Sequence, residues 1–186
     1  MYRIYLNAGH DKKYDSGAVN PISGLRECDV AANVAEKVKY YLENVGYECR
    51  LGQSDNLYYD SIYIDRQDFA VVPDANNWDA DLFISIHCNA FNTSAQGTET
   101  LIYNNRCREA KKLAECIQQQ IVDSLGTTDR GIKERQNLIV LKMTDAPAVL
   151  VELAFIDNEE DAKLLVEKQD DFARAIARGV TDYYNL

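Results

Sequence analysis

The sequence lacks several features that would indicate particular protein classes. None of its apolar runs approaches the roughly 20 residues that a transmembrane helix needs, so membrane insertion is not expected. Its five cysteines are odd in number and include no CxxC pair, which argues against a disulfide framework or a thiolate zinc site. Positive charge is also scarce, because 20 Lys and Arg stand against 30 Asp and Glu, for a net charge of −10. This balance argues against a nucleic-acid partner.

Histidine is scarcer still, and both histidines stand at comparable places. His10 follows the apolar run IYLNAG, and His87 follows LFISI, a run dense in β-branched and aromatic residues. Such runs are typical of buried strands. In α/β proteins the carboxyl ends of strands are where ligands usually bind. The sequence therefore predicts that both imidazoles lie at the end of the sheet where ligands bind.

The alternation of strand and helix patterns predicts one α/β domain covering residues 1–186. The sheet is expected to have about six strands, mostly parallel or mixed, with helices on both faces. Strands are predicted at residues 2–8, 47–51, 82–86, 97–103, 138–141 and 148–152, and helices at 27–45, 106–125, 157–165 and 170–184. Residues 58–69 also allow a helix, residues 73–77 indicate an irregular end, and residues 126–135 indicate a polar loop.

Two carboxylates complete a candidate metal site. Glu27 opens the first long helix, where the helix dipole favours a negative charge, and Glu152 ends the strand AVLV. Two imidazoles and one carboxylate form a ligand set of catalytic zinc, which leaves a coordination position open. His10, Glu27 and His87 are the predicted ligands. A second carboxylate near the metal, here Glu152, can then carry the proton in hydrolysis.

Each of these residues also has an ordinary explanation when taken alone. A single histidine is most often a polar loop residue, Glu27 could be a solvated residue at a helix start, and Glu152 could be a surface charge. The wide spacing is only moderately specific, and no HExxH motif accompanies it. The prediction therefore depends on the four residues together. If Glu152 were not the proton carrier, the nearest alternatives would be Asp11 or Asp15 in the first loop.

The chain also resembles the zinc-dependent N-acetylmuramoyl-L-alanine amidases of the amidase-3 type, which occur in bacterial autolysins and phage endolysins. The most specific matches are the stretches SIHCNA and PAVLVE. The matching segments follow in family order over nearly the whole chain: residues 6–10, 16–18, 24–27, 81–90, 129–133 and 147–152, with Phe155, Asp157 and Asn158. The usual Thr-Gly after the catalytic glutamate is replaced by Leu153-Ala154.

The resemblance implies a function and a role for each site residue. It implies one Zn²⁺ per chain on His10, Glu27 and His87, with Glu152 as the catalytic acid–base. The implied substrate is peptidoglycan, or muropeptides derived from it, cleaved at the amide between N-acetylmuramic acid and L-alanine. Two alternatives are a zinc peptidase or deacylase acting on another amide, and a non-catalytic wall-binding module.

The resemblance also implies a place of action, the bacterial cell wall. The start of the sequence, MYRIYLNAGH, has no basic segment followed by an apolar stretch and a cleavage site, so no signal peptide is predicted in this chain. A phage lysin released on lysis, or a fragment of a secreted protein, is therefore expected. The sequence predicts no oligomeric state.

Overall fold

A six-stranded mixed sheet forms the centre of the computed structural model, which describes residues 1–59 and 69–185. The strands are β1 Arg3–Ala8, β2 Glu48–Gln53, β3 Leu82–Asn89, β4 Thr98–Ile102, β5 Asp129–Glu134 and β6 Ala148–Phe155. Their order across the sheet is β2-β1-β3-β6-β4-β5. The β4–β6 pair is antiparallel, and every other neighbouring pair is parallel.

Helices cover both faces of this sheet. They are α1 Glu27–Asn44, α2 Val71–Asn77, α3 Arg108–Leu125, α4 Ile139–Lys142, α5 Glu159–Glu167 and α6 Gln169–Asn185. The buried side chains of α1, α3 and α6 pack in one cluster on one face, and those of α2 and α4 pack in a second cluster on the other face. The predicted fold class is confirmed.

Side-chain alternation along the central strands decides to which face of the sheet the candidate site residues point. In β3, Ile84 and Ile86 belong to the α1–α3–α6 cluster, whereas Phe83 belongs to the α2–α4 cluster. His87 therefore points to the α2–α4 face, because successive side chains of a strand point to opposite sides. The same alternation puts Glu152 on that face, since Leu150 lies in the α2–α4 cluster.

One predicted strand is wrong, although the number of strands is right. Residues 138–141 were expected as a strand, but residues 139–142 form the helical turn α4. The sixth strand is instead β5, Asp129–Glu134, within the stretch predicted as a polar loop. β5 lies at the edge of the sheet and buries none of its residues fully, so its sequence lacks the apolar alternation that marks a half-buried strand.

The region before β3 also differs from expectation. Helix α2, Val71–Asn77, covers residues 73–77, where an irregular end was predicted. Pro73 is tolerated because first-turn N–H groups have no partner within the helix. The helix allowed for residues 58–69 falls mostly on residues 60–68, outside the described residues. Within the described part of the chain, no helix combines the length and apolar character that crossing a membrane requires.

Candidate metal centre and active site

Three of the predicted site residues meet at the carboxyl-terminal end of the sheet. His10 follows β1, His87 lies near the end of β3, and Glu27 is the first residue of α1. The Glu27 carboxylate lies between the imidazoles, with Oε1 2.8 Å from His87 Nδ1 and Oε2 3.1 Å from His10 Nε2. One ligand atom from each residue lies within 4.8 Å of the others.

The fold brings these residues together through adjacent parallel strands. β1 and β3 are neighbours, and the Gly9 N–H donates to the Ile86 carbonyl at 2.9 Å, so the chain around His10 lies beside His87. The first loop then returns to the same end of the sheet and starts α1. Two backbone N–H groups orient the Glu27 carboxylate: Ala18 donates to Oε2 at 2.8 Å and Cys88 donates to Oε1 at 3.0 Å.

Two glycines allow the chain to come this close to the ligands. A Cβ at Gly9 would stand 2.4 Å from His87 Cε1, and one at Gly17 would stand 2.5 Å from both Glu27 Oε2 and His10 Cδ2. Gly17 also has a φ of +65°, a conformation that costs other residues strain. Side chains at these positions would occupy the space of the ligands.

Asp15 fixes the orientation of His10. The His10 backbone has a φ of 64°, and the Nδ1 atom of its ring lies 2.7 Å from Asp15 Oδ2. The Nε2 atom is thereby directed toward Glu27. Histidine ligands of metals commonly donate their second ring N–H to such a carboxylate. Burial opposes protonation of His10, but the hydrogen bonds and charges of Glu27 and Asp15 outweigh it and raise its pKa to about 9.

Glu27 is held in its ionised form despite its burial. Burial by itself would raise its pKa, but hydrogen bonds and charge from His10 and His87 outweigh that effect and bring the pKa well below its usual range. One ionised carboxylate and two imidazoles together form a donor set of catalytic zinc sites. The three residues therefore fit the metal that the sequence predicts.

Glu152 lies beside this group and has a different environment. It pairs in register with His87 across the β3–β6 ladder. Its Oε2 atom is inaccessible to solvent and has no hydrogen-bond partner among residues 1–59 and 69–185. Burial, with the negative charges of Glu27 and Glu99, raises the pKa of Glu152 to about 8, against the opposing charges of His10 and Arg135. The Glu152 residue as a whole is only partly buried, so its carboxyl combines one enclosed oxygen with access to the site, where it could exchange a proton with a substrate or water.

Comparison with known proteins identifies the family. The family model described as N-acetylmuramoyl-L-alanine amidase matches residues 4–182 of the chain. The chain belongs to this amidase family. The predicted family and enzyme type are confirmed, and the arrangement of His10, Glu27, His87 and Glu152 is part of an amidase fold.

Individual relatives show the extent of the similarity. Over 185 residues the chain is 36% identical to N-acetylmuramoyl-L-alanine amidase LytC of Bacillus subtilis (strain 168), matching 97% of this chain but only 35% of LytC. It is 36% identical over 193 residues to an endolysin of Bacillus phage SPP1, matching 98% of this chain and 66% of the endolysin. The catalytic domain of the amidase CwlV from Bacillus (Paenibacillus) polymyxa var. colistinus has 30% identity and a TM-score of 0.83, covering 100% of this chain and 99% of that one.

Sequence reasoning missed Glu99, a carboxylate beside this candidate site. Glu99 is buried and pairs in register with Glu152 on the side opposite His87, which makes a row of His87, Glu152 and Glu99 across three strands. Glu99 accepts hydrogen bonds from Arg130 Nε at 3.0 Å and from Asn89 Nδ2 at 3.1 Å. Only the pairing of β4 with β6 reveals this row, because Glu99 and Glu152 lie far apart in sequence.

Proposed function

We propose that residues 1–186 form a single catalytic domain, a zinc-dependent amidase that holds one Zn²⁺ on His10, Glu27 and His87. The substrate is peptidoglycan, cleaved at the amide between N-acetylmuramic acid and L-alanine, and the place of action is the bacterial cell wall. The observation that carries the proposal is the buried Glu152 oxygen, without a hydrogen-bond partner in the described residues, beside a His–Glu–His ligand group. Family membership supports the choice of bond.

Each residue has a distinct part in this mechanism. Zinc bound here would polarise the amide carbonyl and make a water molecule more acidic. Glu152 accepts a proton from the attacking water and returns it to the amine that leaves with the alanine. Burial raises the pKa of Glu152 to about 8 in the metal-free protein, and the charge of a bound metal would lower it toward neutral pH, where a group both accepts and returns protons readily.

The remaining residues of the site keep this arrangement in place. Asp15 holds the His10 ring through Nδ1, so that Nε2 faces the metal position. Ala18 and Cys88 hold the Glu27 carboxylate through their backbone N–H groups. A ligand set held in this way loses little freedom when the metal binds, which favours tight binding.

Product analysis tests the proposed reaction. Purified protein incubated with zinc and defined muropeptides should release peptides with a free L-alanine amino terminus, detected by mass spectrometry, without new reducing sugar ends. A chelator should abolish this release, and added zinc should restore it. Cleavage between amino acids of the stem would instead identify a peptidase. Binding to purified walls without any product would identify a wall-binding module.

A further inference from the structure

A pair of hydrogen-bonded side chains spans β6 next to Glu152. Asn89 ends β3 and Glu99 lies in β4, the strands on either side of β6. Neighbouring strands are about 4.8 Å apart, so the two backbones are separated by roughly 10 Å. Nevertheless, Asn89 Nδ2 donates to Glu99 Oε1 at 3.1 Å. The two side chains therefore meet above β6, on the face that also contains Glu152, and we call them the Asn89–Glu99 bridge.

The strand register places this bridge beside the Glu152 carboxyl. Glu152 has His87 as its register partner on β3 and Glu99 as its partner on β4. Asn89 pairs with Phe155, because β6 contains one extra residue in this interval. The bridge thus crosses β6 between the levels of Glu152 and Phe155, on the carboxyl-terminal side of Glu152. The candidate metal ligands lie at this same end of the sheet.

The partners of Asn89 fix the orientation of its amide. Oδ1 accepts a hydrogen bond from the Ala90 N–H at 2.9 Å, whereas Nδ2 faces a carboxylate, which can only accept. A reversed amide would place an oxygen against the Glu99 carboxylate and an NH₂ group against a backbone N–H. The second N–H of Nδ2 has no partner among residues 1–59 and 69–185. The half-buried Asn89 therefore presents one free donor beside Glu152.

Arg130 in turn holds the Glu99 carboxylate. Its Nε donates to Glu99 Oε2 at 3.0 Å, so each oxygen of the buried Glu99 has a partner of its own. The guanidinium lies 4.8 Å from the centre of the Phe155 ring, and Nη1 donates to the Gln96 carbonyl at 3.3 Å. Because both oxygens of Glu99 are already used, its carboxylate is suited to positioning Asn89 and not to binding a substrate.

We propose that the free N–H of Asn89 donates to the carbonyl oxygen of L-alanine in the bound substrate, with Glu99 and Arg130 as positioning residues. The inference rests on the proposed function and deepens it. Glu152 returns a proton to the alanine nitrogen, and a single carbon atom separates that nitrogen from the alanine carbonyl. A donor beside the Glu152 carboxyl is therefore within reach of this carbonyl oxygen.

The test compares three muropeptides that differ only in the link between L-alanine and the second stem residue. The links are the natural amide, an ester, which keeps the carbonyl oxygen but lacks the N–H, and a trans-alkene, which lacks both. The wild-type enzyme should cleave the alkene with a kcat/KM about three- to tenfold lower, as expected for one lost hydrogen bond. Asn89→Ala should lose a comparable factor on the amide and the ester, and nothing on the alkene.

The loss should lie in KM with kcat retained. A contact away from the reacting bond contributes to binding equally before and during the reaction, so its removal weakens binding without slowing the chemical step. Zinc content and melting temperature are measured alongside, and zinc content should be unchanged in Asn89→Ala.

Glu99→Gln tests the positioning role. The introduced amide has one acceptor oxygen, so its NH₂ group would face the donor of either Arg130 or Asn89. Glu99→Gln should therefore reduce the preference for the amide substrate over the alkene, whatever it does to the rate on both. Combining it with Asn89→Ala should reduce the preference little further than Asn89→Ala alone, because both changes act on one contact.

A second asparagine–glutamate pair provides a matched control. Asn105 Nδ2 donates to Glu134 Oε1 just after β4. Since β4 runs antiparallel to β6, this pair lies at the opposite end of the sheet from the candidate site. Asn105→Ala and Glu134→Gln remove the same kinds of group there, and should leave the preference for the amide over the alkene at the wild-type value.

Two outcomes for Asn89→Ala would overturn the proposal. Equal losses on the amide and alkene substrates would mean that Asn89 does not contact the alanine carbonyl. Loss of zinc would make Asn89 a support of the neighbouring ligand His87 instead. If Asn89→Ala does not fold, the wild-type enzyme and Glu99→Gln still decide, because equal cleavage of all three substrates by the wild type overturns the contact.

Failure of the proposed function can be told apart from failure of this inference. If no muropeptide is cleaved, the proposed function fails, yet calorimetry with the same three muropeptides still tests the contact. Weaker binding of the alkene by the wild type, with no such difference in Asn89→Ala, supports it. Equal binding of the three by the wild type overturns it.

Discussion

At the level of single residues, two carboxylates of the same site have opposite environments. Glu27 accepts hydrogen bonds from two backbone N–H groups and lies between two imidazoles, which keeps its pKa well below its usual range. Glu152 has an oxygen without a partner among the described residues, and its pKa is raised to about 8. Different environments of this kind separate a charged ligand from a proton carrier.

Replacing each carboxylate by its amide should separate these two roles. Glu152→Gln keeps size and shape but cannot accept a proton, so it should bind zinc normally and lose activity by roughly a hundredfold or more. Glu27→Gln should lose zinc affinity, because a neutral amide oxygen is a poorer ligand than a carboxylate. Metal content by elemental analysis and turnover of a muropeptide measure the two effects.

The opposite pattern would reverse the assignment. If Glu152→Gln loses zinc while Glu27→Gln retains it, Glu152 is the ligand and Glu27 the proton carrier. If Glu152→Gln keeps near-normal turnover, another group transfers the proton. Asp15 would be a weaker candidate, because its carboxylate already binds His10 Nδ1 at 2.7 Å.

Gly17 should be required for the metal site, since a methyl group there would displace two ligands. Gly17→Ala places a Cβ 2.5 Å from Glu27 Oε2 and His10 Cδ2, and zinc affinity should fall by about tenfold or more, as for other changes that misplace ligands. Gly24→Ala is the matched control. Gly24 has a similar φ of +71°, but its Cβ would meet nothing within 4 Å.

Comparison of the two alanine variants by zinc titration isolates the steric contact. Both variants introduce a side chain at a left-handed position of the same loop, so the backbone strain is similar. A larger effect at Gly17 therefore reports the contact with the ligands. Equal zinc affinities for the two variants would show that the ligands adjust without cost.

At the level of secondary-structure elements, the close packing of α3 against α6 supports the sheet from one side. Gly179 of α6 lies directly against α3, and a Cβ at this position would be 2.6 Å from Ile117 Cα and 2.9 Å from Ile117 N. Backbone atoms cannot move aside as a flexible side chain can. The two helices can approach to this distance only because position 179 has no side chain.

Gly179→Ala should therefore destabilise the protein, although alanine normally favours a helix. Helix propensity would add up to about 1 kcal/mol of stability, but overpacking of a tight contact typically costs about 1–3 kcal/mol. We expect a lower melting temperature, measured by calorimetry with zinc at a fixed concentration. Arg178→Ala, at the neighbouring exposed position, should change the melting temperature little. A Gly179→Ala variant at least as stable as the wild type would contradict the packing argument.

At the level of the whole molecule, the proposed zinc ion and protons would compete for the same site. His10 must lose its proton to bind a metal, and its pKa of about 9 in the metal-free protein means that it is protonated at neutral pH. Because this pKa is raised, apparent zinc affinity should increase as the pH rises. From His10 alone the expected gain is about tenfold per unit between about pH 6 and 8.

Calorimetry in buffers of different ionisation enthalpy can measure this competition, since it counts the protons released as zinc binds. Asp15→Asn removes one of the charges that stabilise protonated His10, so its affinity should depend less steeply on pH. The same variant should bind zinc more weakly at high pH, because the ring loses its orienting partner. A zinc affinity independent of pH would mean that His10 is neutral before the metal arrives.

The sequence by itself determined the fold class and predicted four chemical groups for the candidate site. Buried strands and long amphipathic helices have strong periodic patterns, because their apolar faces must be covered. His10, His87, Glu27 and Glu152 stand at or near the boundaries of such elements, where polar groups interrupt the pattern. Their types are those of a zinc hydrolase, and the fold brings His10, Glu27 and His87 together.

Only the tertiary structure decided which other residues surround these groups. β5 has no periodic pattern, because an edge strand with exposed faces is held by hydrogen bonds to β4 and not by burial of its side chains. The row of Glu152 and Glu99 depends on strand pairing between segments that are distant in sequence. The hydrogen bond between Asp15 and His10 depends on the conformation of the first loop. Local patterns carry no information on such pairings, because they arise when the complete sheet assembles.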